Sequence, residues 1–219
     1  METLRPFLDQ KVKIEISGNE TLCGKLIDVG SDIIVLFNGK DYLYIPFMHI
    51  QHFWGNQEDE EEYNETDSVP FNTTTLSVRS ILTNAKGLFL EVKVAGKQSI
   101  HGYVTSVQSD YIIFYSPVFK TMYIPFHHLK WIIPYHTSMT PYALEYSMLP
   151  VNPSNITIAR SFEVQLNKLI GKVVVFDLGM SEFRIGQLKK IESKFIHLVT
   201  AKEEVILINL NHIKTAHFS

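Results

Sequence analysis

One cysteine, Cys23, stands in 219 residues, so no intrachain disulfide can form and a disulfide-built secreted domain is excluded. No apolar run approaches the ~18 residues that a membrane span needs. The longest, such as Ile33 to Phe37, are strand-sized. The net charge of −3 is too small to draw the whole chain to a polyanion. The start, Met1-Glu2-Thr3-Leu4-Arg5-Pro6, lacks a basic segment followed by an apolar run, so no signal peptide is expected. The sequons at Asn19, Asn64, Asn72 and Asn155 then read as chance occurrences of a short motif. What the chain does hold is apolar and aromatic: it is 45% hydrophobic, with fourteen Phe and ten Tyr, a bias toward strands.

The strongest signal is self-similarity. Leu22-Cys23-Gly24-Lys25-Leu26-Ile27-Asp28-Val29-Gly30-Ser31-Asp32-Ile33-Ile34 aligns without gaps on the segment from Ile100 to Ile112 and on that from Arg184 to Ile196. The aligned glycines are Gly24, Gly102 and Gly186. A second block closes each copy: Tyr44-Ile45-Pro46-Phe47-Met48-His49-Ile50, then Tyr123-Ile124-Pro125-Phe126-His127-His128-Leu129, then Leu207-Ile208-Asn209-Leu210-Asn211-His212-Ile213. From glycine to final histidine the spacing is 25, 26 and 26 residues. The copies occupy residues 1–54, 74–133 and 158–219. Residues 55–73 carry seven acidic residues and no Lys or Arg, a self-repelling linker. Residues 134–157 form a second linker broken by Pro134, Pro141, Pro150 and Pro153, whose Tyr142, Leu144, Tyr146, Met148 and Leu149 are expected to lie against a module.

Each copy opens with a short helical pattern: Leu4, Phe7 and Leu8; then Val78, Ile81, Leu82 and Ala85; then Phe162, Leu166, Leu169 and Ile170 behind a Ser161 cap. About five strands follow. Val12, Ile14 and Ile16 alternate with Lys11, Lys13 and Glu15, and Leu88, Leu90, Val92 and Val94 repeat the pattern. Turns are expected at Ser17-Gly18-Asn19, Asn38-Gly39-Lys40 and Ala95-Gly96-Lys97. The shared glycine inside the second strand marks a bend of the kind a small barrel needs. The expected fold is mainly β: three tandem Sm-like small β-barrels, with at least two in contact.

The Gly24-Lys25-Leu26 step, Ser109-Asp110-Tyr111-Ile112, the block ending in His49-Ile50, and His212-Ile213-Lys214 together resemble the repeat of Bacillus-type spore coat protein B and related Sm-like coat modules. The resemblance covers nearly the whole chain apart from the linkers. It implies a structural coat component, made in the mother-cell cytoplasm without a signal peptide, that assembles with other coat proteins and itself, and is not an enzyme. The family's coat protein carries a Ser/Lys-rich tail; the sequence here stops at Ser219, so no role tied to that tail is expected.

Candidate chemistry is sparse. His49, His128 and His212 share one repeat position, and three histidines brought together can hold Zn²⁺. Equivalent positions in tandem modules normally lie apart, so a packing role at a strand edge is expected, and no metal or cofactor is assigned. His127 and His128 would face opposite sides of a strand. Asp32 and Asp110 read as turn residues, with Lys194 in the third copy. Cys23 reads as a small packing residue. No Ser-His-Asp order, nucleophile elbow or phosphate-binding loop appears, so no catalytic residue is assigned. Trp54, Tyr115 and Trp131 are the expected partner contacts, on exposed strand edges.

Nucleic-acid binding, frequent among Sm-like barrels, is the rival reading. Residues 74–133 hold six Lys/Arg against two Asp/Glu, and 158–219 hold nine against six, so Lys93, Lys97, Lys189 and Lys190 are the candidate basic face. Residues 1–54 hold five against seven, and the acidic linker would oppose a phosphate backbone, which disfavours the rival.

Overall fold

A computed structural model describes residues 3–55, 70–71, 75–94, 98–135, 139–145, 147, 149 and 157–218. Most of the acidic stretch, the turn expected at Ala95-Gly96-Lys97, and Tyr146 and Met148 of the second linker lie outside the described residues. The protein is mainly β, with fifteen strands among the described residues joined in one antiparallel sheet. Unit 1 contains β1 (Lys11–Ile16), β2 (Glu20–Val29), β3 (Ile33–Phe37), β4 (Tyr42–Pro46) and β5 (Ile50–Gly55). Unit 2 contains helix α1 (Val78–Asn84), then β6 (Phe89–Lys93), β7 (Ile100–Val107), β8 (Tyr111–Ser116), β9 (Lys120–Pro125) and β10 (Trp131–Pro134). Unit 3 contains helix α2 (Phe162–Asn167), then β11 (Val173–Phe176), β12 (Ile185–Glu192), β13 (Phe195–Val199), β14 (Val205–Asn209) and β15 (Ala216–Phe218).

Alternation drives the local structure. In β1, Val12, Ile14 and Ile16 are fully buried while Lys11, Lys13 and Glu15 are not. Each such side chain contributes about 1.5–3 kcal/mol relative to exposure. The helical pattern of unit 1 yields only a 3₁₀ turn, Arg5–Phe7, where Pro6 supplies no N–H. In β6 Leu90 and Val92, and Val94 just after it, are buried as the alternation requires, but Leu88 is exposed ahead of the strand and Phe89 is buried as well.

The repeat glycines share one steric role. A Cβ on Gly24 would lie 2.3 Å from the carbonyl oxygen of Phe37, one on Gly102 1.9 Å from that of Tyr115, and one on Gly186 2.3 Å from that of Val199. A one-residue bulge follows each time, between Leu26 and Asp28, Val104 and Ser106, and Leu188 and Lys190. The second strand bends there and pairs with the first strand on one side and the third on the other.

The strand order is β14-β13-β12-β11-β15-β9-β8-β7-β6-β10-β4-β3-β2-β1-β5. Within each unit the fifth strand lies beside the first. Closed barrels were expected, but the sheet is open. The outer edges of β4 and β9 pair with the fifth strand of the following unit, β10 and β15, instead of closing on their own unit. Each junction thereby satisfies an edge that would otherwise be bare.

Candidate functional site at the unit junctions

The cores interlock across the junctions. Side chains at alternate positions of β3 and β4 point two ways: Ile34, Leu36, Leu43 and Ile45 into the core of unit 1, and Ile33, Val35, Phe37, Tyr42 and Tyr44 into that of unit 2. Likewise Tyr111, Ile113 and Tyr123 of unit 2 join the core of unit 3, with Phe162, Leu166 and Leu169. In return Trp131 and Ile133 of β10 pack into the core of unit 1. The strands β3, β4 and β8 are therefore buried on both faces. In unit 3 the equivalent second face is uncovered among the described residues: Phe195 is 42% exposed, Val205 63% and Leu207 56%. Among the described residues β14 is also an unpaired sheet edge, as is β5 at the opposite end.

Each internal junction carries the same polar contacts. The Asp32 carboxylate accepts from the Val78 N–H at 2.8 Å, and the Asp110 carboxylate from the Phe162 N–H at 2.9 Å, so each turn aspartate caps the helix of the next unit. The adjacent N–H groups of Ser31 and Ser109 donate to the carbonyls of Leu76 and Arg160 at 2.8 and 3.1 Å. In unit 3 the aspartate is replaced by Lys194, which turns back to pair with Glu163. At the first junction Glu20 lies 3.8 Å from both Lys93 and Lys130, and Lys93 sits over the Trp131 ring, 5.3 Å from its centroid.

The histidine blocks form 3₁₀ turns, Phe47–His49, Phe126–His128 and Leu210–His212, and the junctions bring the turns together. Because these residues turn, His127 and His128 do not face opposite sides as a strand would require. Their rings lie 4.1 Å apart, and both Nε2 atoms approach the Asn211 carbonyl, at 3.3 and 3.0 Å. Burial, then the neighbouring His127, lowers the pKa of His128 to about 4, while its bond to Asn211 works in the opposite direction. Burial, then Lys130 and His127, lowers that of His49, whose Nδ1 is bonded to the Ser17 hydroxyl at 2.9 Å. Both rings are thus held neutral near pH 7. His212, at the end of the series, is exposed. Among the described residues, no group of three or more His, Cys, Asp or Glu side chains is arranged to hold a metal ion.

Of the aromatics expected to contact partners, only Trp54 lies at the surface. It stacks on His52 at 5.4 Å in the edge strand β5. Tyr115 is buried with Phe89 and Tyr103, with Tyr135 and Leu149 packed against them. Trp131 does make a contact, but within the chain, where it covers the core of unit 1. Of the lysines expected to form a basic face, Lys93 is buried, Lys190 pairs with Glu192 at 2.6 Å, Lys189 is exposed and Lys97 lies outside the described residues. Cys23 is a half-buried free thiol in β2, opposite Lys13. The sequence reading missed the open face of unit 3. Its signal is the run Val205-Ile206-Leu207-Ile208, apolar at consecutive positions and so lacking the polar side of a half-buried strand.

Among the described residues no helix is long and apolar enough to cross a membrane. Residues 161–216, from the Ser161 cap into β15, match the family model described as the YwrJ third domain. Over 228 aligned residues the chain is 43% identical to the uncharacterized protein YwrJ of Bacillus subtilis (strain 168), covering 99% of each. A relationship of that extent spans all three units, and the chain belongs to the YwrJ family.

Proposed function

We propose that this protein is a non-enzymatic structural component of a bacterial spore coat, acting by protein–protein assembly through three tandem Sm-like β-modules. The observation that carries the reading is the open face of unit 3. Phe195, Val205 and Leu207 stand exposed beside a bare edge, at repeat positions that both internal junctions bury. An exposed apolar face beside unpaired backbone groups fits strand addition by a partner. The strand order of each unit, with the fifth strand beside the first, fits an Sm-like module, here left open so that neighbours join. The coat assignment itself rests on the resemblance of the repeat to spore coat protein B, and a relative in Bacillus subtilis is in keeping with it.

A nucleic-acid-binding role is the alternative. The burial of Lys93 and the pairing of Lys190 speak against the basic face it requires. Two experiments separate the readings. A fluorescent fusion followed through sporulation is expected to concentrate at the forespore surface; diffuse fluorescence in the mother cell would overturn the coat role. Retention of the purified protein on an RNA oligomer, falling steeply with salt, would favour the alternative.

A further inference from the structure

We propose that two copies of this chain join head to tail, with β14 of one copy pairing antiparallel with β5 of the other. The inference deepens the assembly reading above, and rests on it, by naming the partner as a second copy.

The chain already makes this junction twice. In each case the fifth strand of one unit pairs with the fourth strand of the unit before it, and the register is the same. Ile132, four residues past His128, lies opposite Tyr44, five residues before His49. Ala216, four past His212, lies opposite Tyr123, five before His128, and His217 lies opposite Met122. Among the described residues the two sheet edges are one of each kind: β14 is a fourth strand and β5 a fifth strand, each unpaired on its outer side. Carried one step further, the register sets Phe53 opposite Leu207 and Trp54 opposite Ile206.

The side chains at these edges fit their counterparts. Trp54 and His52 occupy the repeat positions of Ile133 and Trp131. Ile133 fills the core of the preceding unit, whereas Trp54 is exposed. Phe195, Val205 and Leu207 wait at positions that Ile33, Tyr42 and Tyr44 fill at the first junction. His128 reaches the Asn211 carbonyl, one residue before the next repeat histidine. The exposed His212 would reach the equivalent carbonyl, that of Met48 in the second copy. Charge favours the pairing as well: residues 158–219 hold nine basic against six acidic residues, and residues 1–54 five against seven. The junction would lack the capping aspartate, since Lys194 stands there, so it should be weaker and more salt-sensitive than the internal ones. A contact between two different patches extends or closes according to its rotation, and a two-patch test detects it in either case.

The test uses two full-length variants. Leu207→Asp disables β14 and leaves β5 intact; Trp54→Asp does the reverse. Both sites are exposed, so both variants should fold, which circular dichroism checks. In analytical ultracentrifugation the unaltered chain should sediment at two or more times its monomer mass, each variant alone should fall to monomer, and the equimolar mixture should recover one-to-one dimers that grow no further. A monomeric unaltered chain at the highest soluble concentration would overturn the proposal. So would a mixture that stays monomeric, or loss of association with one variant only, the mark of like edges pairing. A fusion that reaches the coat while the chain stays monomeric would sink self-pairing alone. Self-pairing by a chain that never reaches the coat would sink the coat role alone.

Discussion

Replacing Gly102 by alanine should be among the most damaging single-methyl additions in the protein. The new Cβ would sit 1.9 Å from the Tyr115 carbonyl oxygen and 2.8 Å from a Phe114 ring carbon, where ordinary contact begins near 3.4 Å. The β7–β8 pair would have to part by about 1.5 Å, which breaks roughly two ladder hydrogen bonds inside a buried sheet. At about 1–3 kcal/mol for each unsatisfied group, with overpacking strain added, the loss is roughly 3–5 kcal/mol. Gly24→Ala and Gly186→Ala, each at 2.3 Å, should follow with somewhat smaller losses. Gly87→Ala is the control: its φ is +76° and nothing lies within 4 Å of the added methyl, so only backbone strain of about 1–2 kcal/mol applies. Urea unfolding followed by circular dichroism gives the four midpoints. A Gly102→Ala midpoint at or above that of Gly87→Ala would refute the close-approach reasoning.

Other outcomes follow from the junctions. Asp110→Ala should destabilise by about 1–2 kcal/mol, and by more than Asp32→Ala. The reason is that Ser77 also caps α1 through the Ser80 N–H, whereas Ser161 makes no side-chain cap on α2; thermal melts of both variants check the order. The pKa of His128 is lowered from 6.5 to about 4 in the folded chain, so its contribution to stability is fully present above pH 6.5 and is lost as pH falls from there toward 4. Unscreened, that drop corresponds to ~3 kcal/mol; partial solvent access reduces it to roughly 1–2 kcal/mol. Urea midpoints across this window should fall, and His128→Gln should flatten the slope. Trp131→Ala should cost about 3–5 kcal/mol because it uncovers the core of unit 1. Trp54→Ala should cost under about 0.5 kcal/mol in the monomer. Equal unfolding midpoints for the two tryptophan variants would contradict the placement of Trp131.

The repeat was legible because its marks are steric. A neighbouring carbonyl at 1.9–2.3 Å from a would-be Cβ admits no residue but glycine, and the histidine turn ends each copy 25 or 26 residues after it. The joining of units was not legible, since period-two alternation looks the same in a closed barrel and in a continuous sheet. The clue lay in β8: Tyr111, Ile112, Ile113, Phe114 and Tyr115 are apolar at successive positions because Ile112 and Phe114 enter the core of unit 2, Tyr111 and Ile113 that of unit 3, and Tyr115 a third cluster with Phe89 and Tyr103. Trp131 was read as a surface contact for a related reason: an aromatic in an edge-type strand is a contact residue whether its neighbour is another chain or the preceding unit. The Asp32 and Asp110 turn positions looked like ordinary turn chemistry. Their reach to the next helix depends on tertiary placement that sequence spacing does not encode.

Cross-linking across the free edges tests the central claim most directly. In a Cys23→Ser background, one chain carries Trp54→Cys and a second carries Ile206→Cys, which the extended register places opposite each other within disulfide reach. The account predicts that mild oxidation of the mixture joins one chain of each kind through residues 54 and 206. Disulfides only between like chains, or none while the edges remain accessible to a thiol reagent, would contradict it.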